Sequence, residues 1–221
     1  MSNLDGPRIE PRGTPNALVV LLHGYGANGD DLIALGDAWR SRLPDVAFVA
    51  PNAPEEIPGM HGGLQWFPLT MRDPGEYGRG VAAVQPVLDR FLDAELGRYR
   101  ISPDRLVLAG FSQGCMIALH TGLRRPTAPA AVVGLSGLLA GPEHLLTIKV
   151  RPPILLIHGE ADDLIPVDAM HIARELLGNA GLLVEWHVRP GLGHGIDDVA
   201  QGLAAHFIES ALRGRQAPAH P

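Results

Sequence analysis

Three residue types that together can cleave an acyl bond occur in this chain in a usable order and in suitable settings. Ser112 stands at the centre of Gly110-Phe111-Ser112-Gln113-Gly114, after an apolar run over 106–109 and before Cys115-Met116-Ile117-Ala118-Leu119-His120. That pattern reads as a strand, a tight turn and a helix, with a hydroxyl at the apex. The turn strains the serine backbone and brings strand and helix together, so a Cβ at position 110 or 114 would collide and glycine is needed at both. The backbone N–H of Gln113 falls at the helix N-terminus, where it can hold a developing oxyanion. Five-residue matches of this kind also occur at strand-to-helix turns that do no chemistry; the flanking strand and helix patterns favour the functional reading.

A serine hydroxyl is a poor nucleophile at neutral pH and needs an imidazole to take its proton and a carboxylate to orient that imidazole. On an open α/β sheet the three follow in the order serine, acid, histidine. After the apolar run 154–157 comes His158-Gly159-Glu160-Ala161-Asp162-Asp163-Leu164-Ile165-Pro166, which places carboxylates at the carboxyl end of a strand, the edge where ligands gather. Asp162 ranks above Asp163 and Glu160 third, but spacing alone does not separate the adjacent pair, and the unused carboxylates read as helix caps before Pro166.

Of the ten histidines, His194 in Gly191-Leu192-Gly193-His194-Gly195 alone combines chain order, a loop setting and flanking glycines. His120, His171 and His206 fall in helix patterns, His187 in a strand, His61 in a long loop, His144 at a short helix and His220 in the tail. His23 and His158 each precede a glycine at a strand end and read as turn-stabilising residues. The loop His23-Gly24-Tyr25-Gly26-Ala27-Asn28-Gly29 follows an early strand, and the Tyr25 N–H is the candidate second oxyanion donor. A phosphate-cradling loop is the competing reading of its glycines and ranks below, as the Gly-Lys-Ser/Thr ending is absent.

Elements must exist to position these groups. Strand-like apolar runs occur at 17–22, 46–50, 106–109, 131–135, 154–157 and 183–188, several of them continuous, as for strands buried on both faces. Helical spacing fills 29–42, 77–98, 113–124, 167–180 and 196–212. Alternation of this kind predicts an α/β fold, a mostly parallel central sheet with helices on both faces. The stretch 51–75 holds five prolines with Leu64, Trp66 and Phe67 and is expected either to cover the site or to be an Ω-loop pinned by its aromatics. The tail 214–221 is expected to fray.

With 221 residues, 46% of them hydrophobic, the chain is expected to form a single domain over 1–221. A net charge of −6 and scattered basic residues exclude a nucleic-acid partner. Met1-Ser2-Asn3-Leu4-Asp5 carries neither a basic start nor an apolar run, and no segment is long and apolar enough for a membrane span, so a cytoplasmic location is expected. Cys115, the only cysteine, reads as a buried structural thiol. No metal-ligand spacing occurs, and no cofactor is expected.

Taken together, His23-Gly24-Tyr25-Gly26, Gln65-Trp66-Phe67, Gly110-Phe111-Ser112-Gln113-Gly114, Leu135-Ser136-Gly137, His158-Gly159-x-x-Asp162-x-x-Ile165-Pro166 and Gly193-His194-Gly195 resemble the phospholipase/carboxylesterase family over about residues 17 to 207. The resemblance implies an α/β-hydrolase fold, Ser112 as nucleophile, Asp162 as acid, His194 as base, and an oxyanion hole from Tyr25 and Gln113. It implies that Leu64, Trp66, Phe67, Leu138 and Ile165 border the substrate and that Ser136 is a strand-end turn residue. Where thioesterase-like members often carry leucine in the first loop, this chain has Tyr25, whose side chain reshapes the pocket. The implied activity is hydrolysis of a small-molecule carboxylic ester by a monomer or homodimer. A thioesterase or lysophospholipase acting on longer acyl chains is the alternative, and a non-catalytic scaffold ranks third.

Overall fold

The apolar runs become the strands of one sheet, and their two-residue side-chain period builds a separate core on each face. The computed structural model describes residues 4–70, 73 and 75–214. Its strands are β1 (Arg8–Ile9), β2 (Ala17–Leu22), β3 (Val46–Val49), β6 (Leu106–Phe111), β7 (Ala131–Leu135), β8 (Ile154–Gly159) and β9 (Val184–Arg189), in the spatial order β1-β3-β2-β6-β7-β8-β9. Every pairing is parallel except that of β1 with β3. Leu18, Val20, Leu108, Val132 and Leu156 point to one face, covered by α2 (Glu76–Tyr99), α3 (Gln113–Gly122) and α4 (Asp168–Asn179). Their neighbours Val19, Leu21, Val107, Val133 and Leu155 point to the other, covered by α1 (Gly29–Trp39) and α5 (Asp198–Gly214). Alternate residues thus serve opposite cores, which is why the central strands carry no polar positions.

Burial falls only at the sheet edge. All of β2, β7 and β8 is buried, whereas β9 leaves Trp186 40% exposed, and the short β1 caps the opposite edge beyond β3. α3 is buried along its whole length and so is apolar around its full circumference apart from Gln113, His120 and Thr121.

The stretch after β3 is pinned rather than loose. Glu55–Glu56 (β4) pairs with Leu64–Gln65 (β5), and Leu64 bridges to Ala27. Trp66 and Phe67 are buried, as the Ω-loop reading requires. Positions 71, 72 and 74 of the expected cover and 215–221 of the expected tail lie outside the described residues. Among the described residues no helix is long and apolar enough to cross a membrane.

Candidate active site

The site lies at the carboxyl edge of the sheet, where β2, β6, β8 and β9 deliver four loops. At the end of β6 the chain turns through Ser112 with φ 53° and ψ −115°, a left-handed conformation for a residue with a Cβ. Such a backbone costs on the order of 1–3 kcal/mol and persists only where the surroundings fix it. Here Ser112 N donates to Leu135 O at 2.9 Å, tying the turn to the end of β7. The approach of α3 explains the flanking glycines: a Cβ on Gly110 would lie 2.1 Å from Gly114 O, and one on Gly114 would lie 1.9 Å from Leu22 O.

The loop after β8 holds the carboxylate. The Asp162 side chain is buried, and its Oδ1 accepts the N–H groups of Leu164 at 3.0 Å and Ile165 at 2.9 Å. Its Oδ2 lies 2.8 Å from His194 Nδ1, so Nδ1–H donates to the carboxylate and Nε2 is left for a reacting partner. Burial alone would raise the Asp162 pKa, but the Ile165 N–H, His194 and the Leu164 N–H outweigh it and hold the carboxyl below its ordinary range. The other two candidate carboxylates are placed differently: Asp163 is exposed, and Glu160 accepts the Gly191 N–H at 3.1 Å.

His194 is fixed from three sides. Ala161 N donates to Leu192 O at 2.9 Å, Ser136 Oγ donates to Gly195 O at 3.1 Å, and the Phe111 ring lies 4.9 Å from the imidazole. Ser136 is therefore a buried strand-end residue that holds the histidine loop. Ser112 and His194 open into one cavity; among the described residues no hydrogen bond yet joins them, a contact that in empty sites commonly closes when substrate binds.

Two residues that line the same cavity carry the candidate oxyanion N–H groups. Gln113 is the first residue of α3, so its N–H has no acceptor within the helix, and Tyr25 N lies on the loop after β2. Both are braced by buried polar contacts. Gln113 Oε1 accepts Trp66 N–H at 2.9 Å while Gln113 Nε2 donates to Phe67 O at 2.8 Å. His23 Nε2 accepts Ala53 N–H at 3.0 Å, which places the ring proton on Nδ1 for donation to Gly24 O at 2.8 Å; burial depresses the His23 pKa and keeps the ring neutral. Trp66 Nε1 donates to His23 O at 2.9 Å and closes the set.

The glycines of this first loop have the spacing Gly24-x-Gly26-x-x-Gly29, which corrects the expectation that the loop lacks a phosphate-binding glycine pattern. The helix N-terminus they lead to is nonetheless occupied. Asn28 Oδ1 accepts the N–H groups of Asp30 and Asp31, and the two aspartates put negative charge where a phosphate would sit.

The cavity has a volume of ≈ 550 Å³, within the range of small-molecule sites. Leu69, Tyr77, Met116, Leu138, Leu164, Ile165, Pro166 and Ala169 line it, together with the exposed Tyr25. Among the described residues its wall contains no aspartate, glutamate, lysine or arginine. Leu138 and Ile165 are among the lining residues. Leu64, Trp66 and Phe67 are not: Leu64 bridges to Ala27, and the other two are buried, with their main chain bonded to the Gln113 side chain. Leu69, Tyr77, Met116 and Leu164 were missed as wall residues; only their apolar character pointed to them. Cys115 is buried under the turn, and burial pushes its thiol up to about 12, which leaves it protonated and inert.

A strained serine turn at the carboxyl edge of a parallel sheet, with an imidazole and a buried carboxylate delivered by the later strands, defines an α/β-hydrolase, and the chain is a serine hydrolase. It belongs to the phospholipase/carboxylesterase family, whose model matches residues 6–212. The acyl-protein thioesterase 1 of Yarrowia lipolytica is 28% identical over 226 residues, 93% of this chain and 96% of that protein. The acyl-protein thioesterase 1 of Schizosaccharomyces pombe is 31% identical over 193 residues, 82% of this chain and 84% of that one. Among solved structures, esterase PE8 superposes with a TM-score of 0.91 at 41% identity, covering 95% of this chain and all of that one, and the Bacillus cereus carboxylesterase shares the fold with a TM-score of 0.78 at 18% identity.

Proposed function

We propose that this enzyme hydrolyses uncharged, apolar carboxylic esters through an acyl-enzyme on Ser112. Ser112 Oγ attacks the acyl carbon as its proton passes to His194 Nε2. The oxyanion is held by the N–H groups of Gln113 and Tyr25. Asp162, below its ordinary pKa and ionised, orients the imidazole and stabilises its positive charge. The tetrahedral intermediate expels the alcohol with the proton from His194. Water, deprotonated by the same nitrogen, then attacks the acyl-enzyme and releases the acid.

The observation that carries this reading is His194, 2.8 Å from Asp162, lining together with Ser112 a cavity whose wall among the described residues holds no aspartate, glutamate, lysine or arginine. Desolvating a charged leaving group there would cost several kcal/mol without a partner. A thioester of a longer acyl chain is the second reading, favoured by the names of the fungal relatives and the apolar lining. Rates on a homologous series of neutral esters, beside matched thioesters, decide between them. Ester preference with an optimum at short or medium acyl length supports the first; rates that climb steeply to long acyl thioesters support the second. A folded Ser112→Ala variant that hydrolyses any of them at the native rate overturns both.

A further inference from the structure

His158 is a second histidine on the catalytic carboxylate. It is the fifth residue of β8, its side chain is 1% exposed, and its Nε2 lies 2.8 Å from Ile165 O and 3.2 Å from Asp162 Oδ2. A carbonyl oxygen only accepts, so Nε2 carries the hydrogen. That N–H therefore donates to Ile165 O, on the main chain that closes the Asp162–Ile165 turn, while its nitrogen lies against the carboxylate oxygen that receives His194 Nδ1–H at 2.8 Å. Asp162 Oδ1 is taken by two backbone N–H groups and Oδ2 by His194 Nδ1–H, and the His158 ring packs against the Oδ2 side.

We infer that His158 is a positioning residue for Asp162, fixing the turn that carries the carboxylate through its bond to Ile165 O. The inference rests on the reading of Asp162 and His194 as acid and base. A histidine kept only for strand packing would use its ring volume, and an apolar side chain would then serve; the Nε2–H bond to Ile165 O, beside the Asp162 carboxylate, is what the packing account leaves unexplained. Glutamine carries its amide nitrogen at a reach close to Nε2 and so is the conservative replacement, whereas leucine removes the donor.

The test uses the full chain and neutral short-chain esters. His158→Leu is expected to lower kcat on the order of ten- to a hundred-fold with KM within about two-fold, because the substrate wall is untouched while the general base loses its alignment. It is also expected to shift or broaden the downfield proton resonance of His194 Nδ1–H, and His158→Gln is expected to restore most of both. Native turnover in folded His158→Leu with an unmoved resonance overturns the inference, as does an equal loss in His158→Gln. Should His158→Leu fail to fold, the native protein decides. Histidine-selective ¹⁵N spectra must show His158 protonated on Nε2, and an unprotonated Nε2 overturns the inference outright. Failure of the underlying reading shows separately, as full esterase activity in Ser112→Ala.

Discussion

Replacing Gln113 by alanine would cut the tie between the start of α3, where the proposed oxyanion donor lies, and the Trp66–Phe67 segment. Its carboxamide accepts Trp66 N–H at 2.9 Å and donates to Phe67 O at 2.8 Å, all within the buried interior. Truncation leaves two buried backbone groups without partners, each worth about 1–3 kcal/mol when orphaned. Taking about 1.5 kcal/mol for each gives about 3 kcal/mol, and for a domain of this size that corresponds to a fall of roughly 6–12 °C in Tm. The backbone N–H of residue 113 survives the substitution, so turnover should fall only as far as the α3 terminus and the Trp66 segment drift apart. Gln113→Glu separates the two bonds, since a carboxylate still accepts from Trp66 N–H but meets Phe67 O with a lone pair; it should be at least as destabilising as alanine. Calorimetry with parallel kcat and KM on a neutral ester reads both effects. A Gln113→Ala protein melting within about 2 °C of the native one would refute the reasoning, showing that water or a neighbour takes over both groups at no cost.

Other expectations follow from the same contacts. Gly114→Ala places a Cβ 1.9 Å from Leu22 O, a backbone atom that cannot swing aside, so the variant should melt well below the native protein and lose most of its turnover; native behaviour in both would contradict the close approach. His120 is neutral in the folded protein, its pKa lowered to about 3 by burial, aided by Arg124 and His144, while in the unfolded chain it titrates near 6.5. The unfolded state thus takes up a proton that the folded state refuses, so stability is full above about pH 6.5 and falls as the pH drops, by up to about 1.4 kcal/mol per unit for this one group. Urea midpoints measured from pH 7.5 to 4.5 should show that slope, and His120→Gln should flatten it in part, leaving the share of His23, which burial also keeps neutral. An unchanged slope in His120→Gln would show that the acid sensitivity arises elsewhere.

What the sequence disclosed and what it hid divide by the reach of the interaction. The turn at Ser112 is specified within five residues, because Gly110 and Gly114 answer to the geometry of one strand and one helix. The central strands were equally plain, since burial on both faces leaves only aliphatic side chains over residues 17–22 and 131–135. Trp66 and Phe67 were placed beside the substrate because their partners lie far off along the chain: Trp66 N–H meets Gln113, 47 residues on, and its indole meets His23, 43 residues back. No local spacing shows that the loop main chain is spoken for. Tyr77 and Leu69 enter the wall for the complementary reason, that the pinned segment hands the exposed side of the site to the start of α2. β1 escaped notice because two residues, Arg8 and Ile9, carry no period, and its role as edge strand comes from β3. His158 read as a turn residue since it precedes Gly159, yet the strand runs on through it and sets its ring under the carboxylate.

The most direct test of the account is covalent capture of the nucleophile. Incubated with a fluorophosphonate, the protein should take up one equivalent, mapped by peptide mass spectrometry to Ser112, with esterase activity lost in step with labelling and the rate of labelling sharply reduced in His194→Ala. An adduct on another serine such as Ser136, or full activity in protein whose Ser112 is quantitatively labelled, would contradict it.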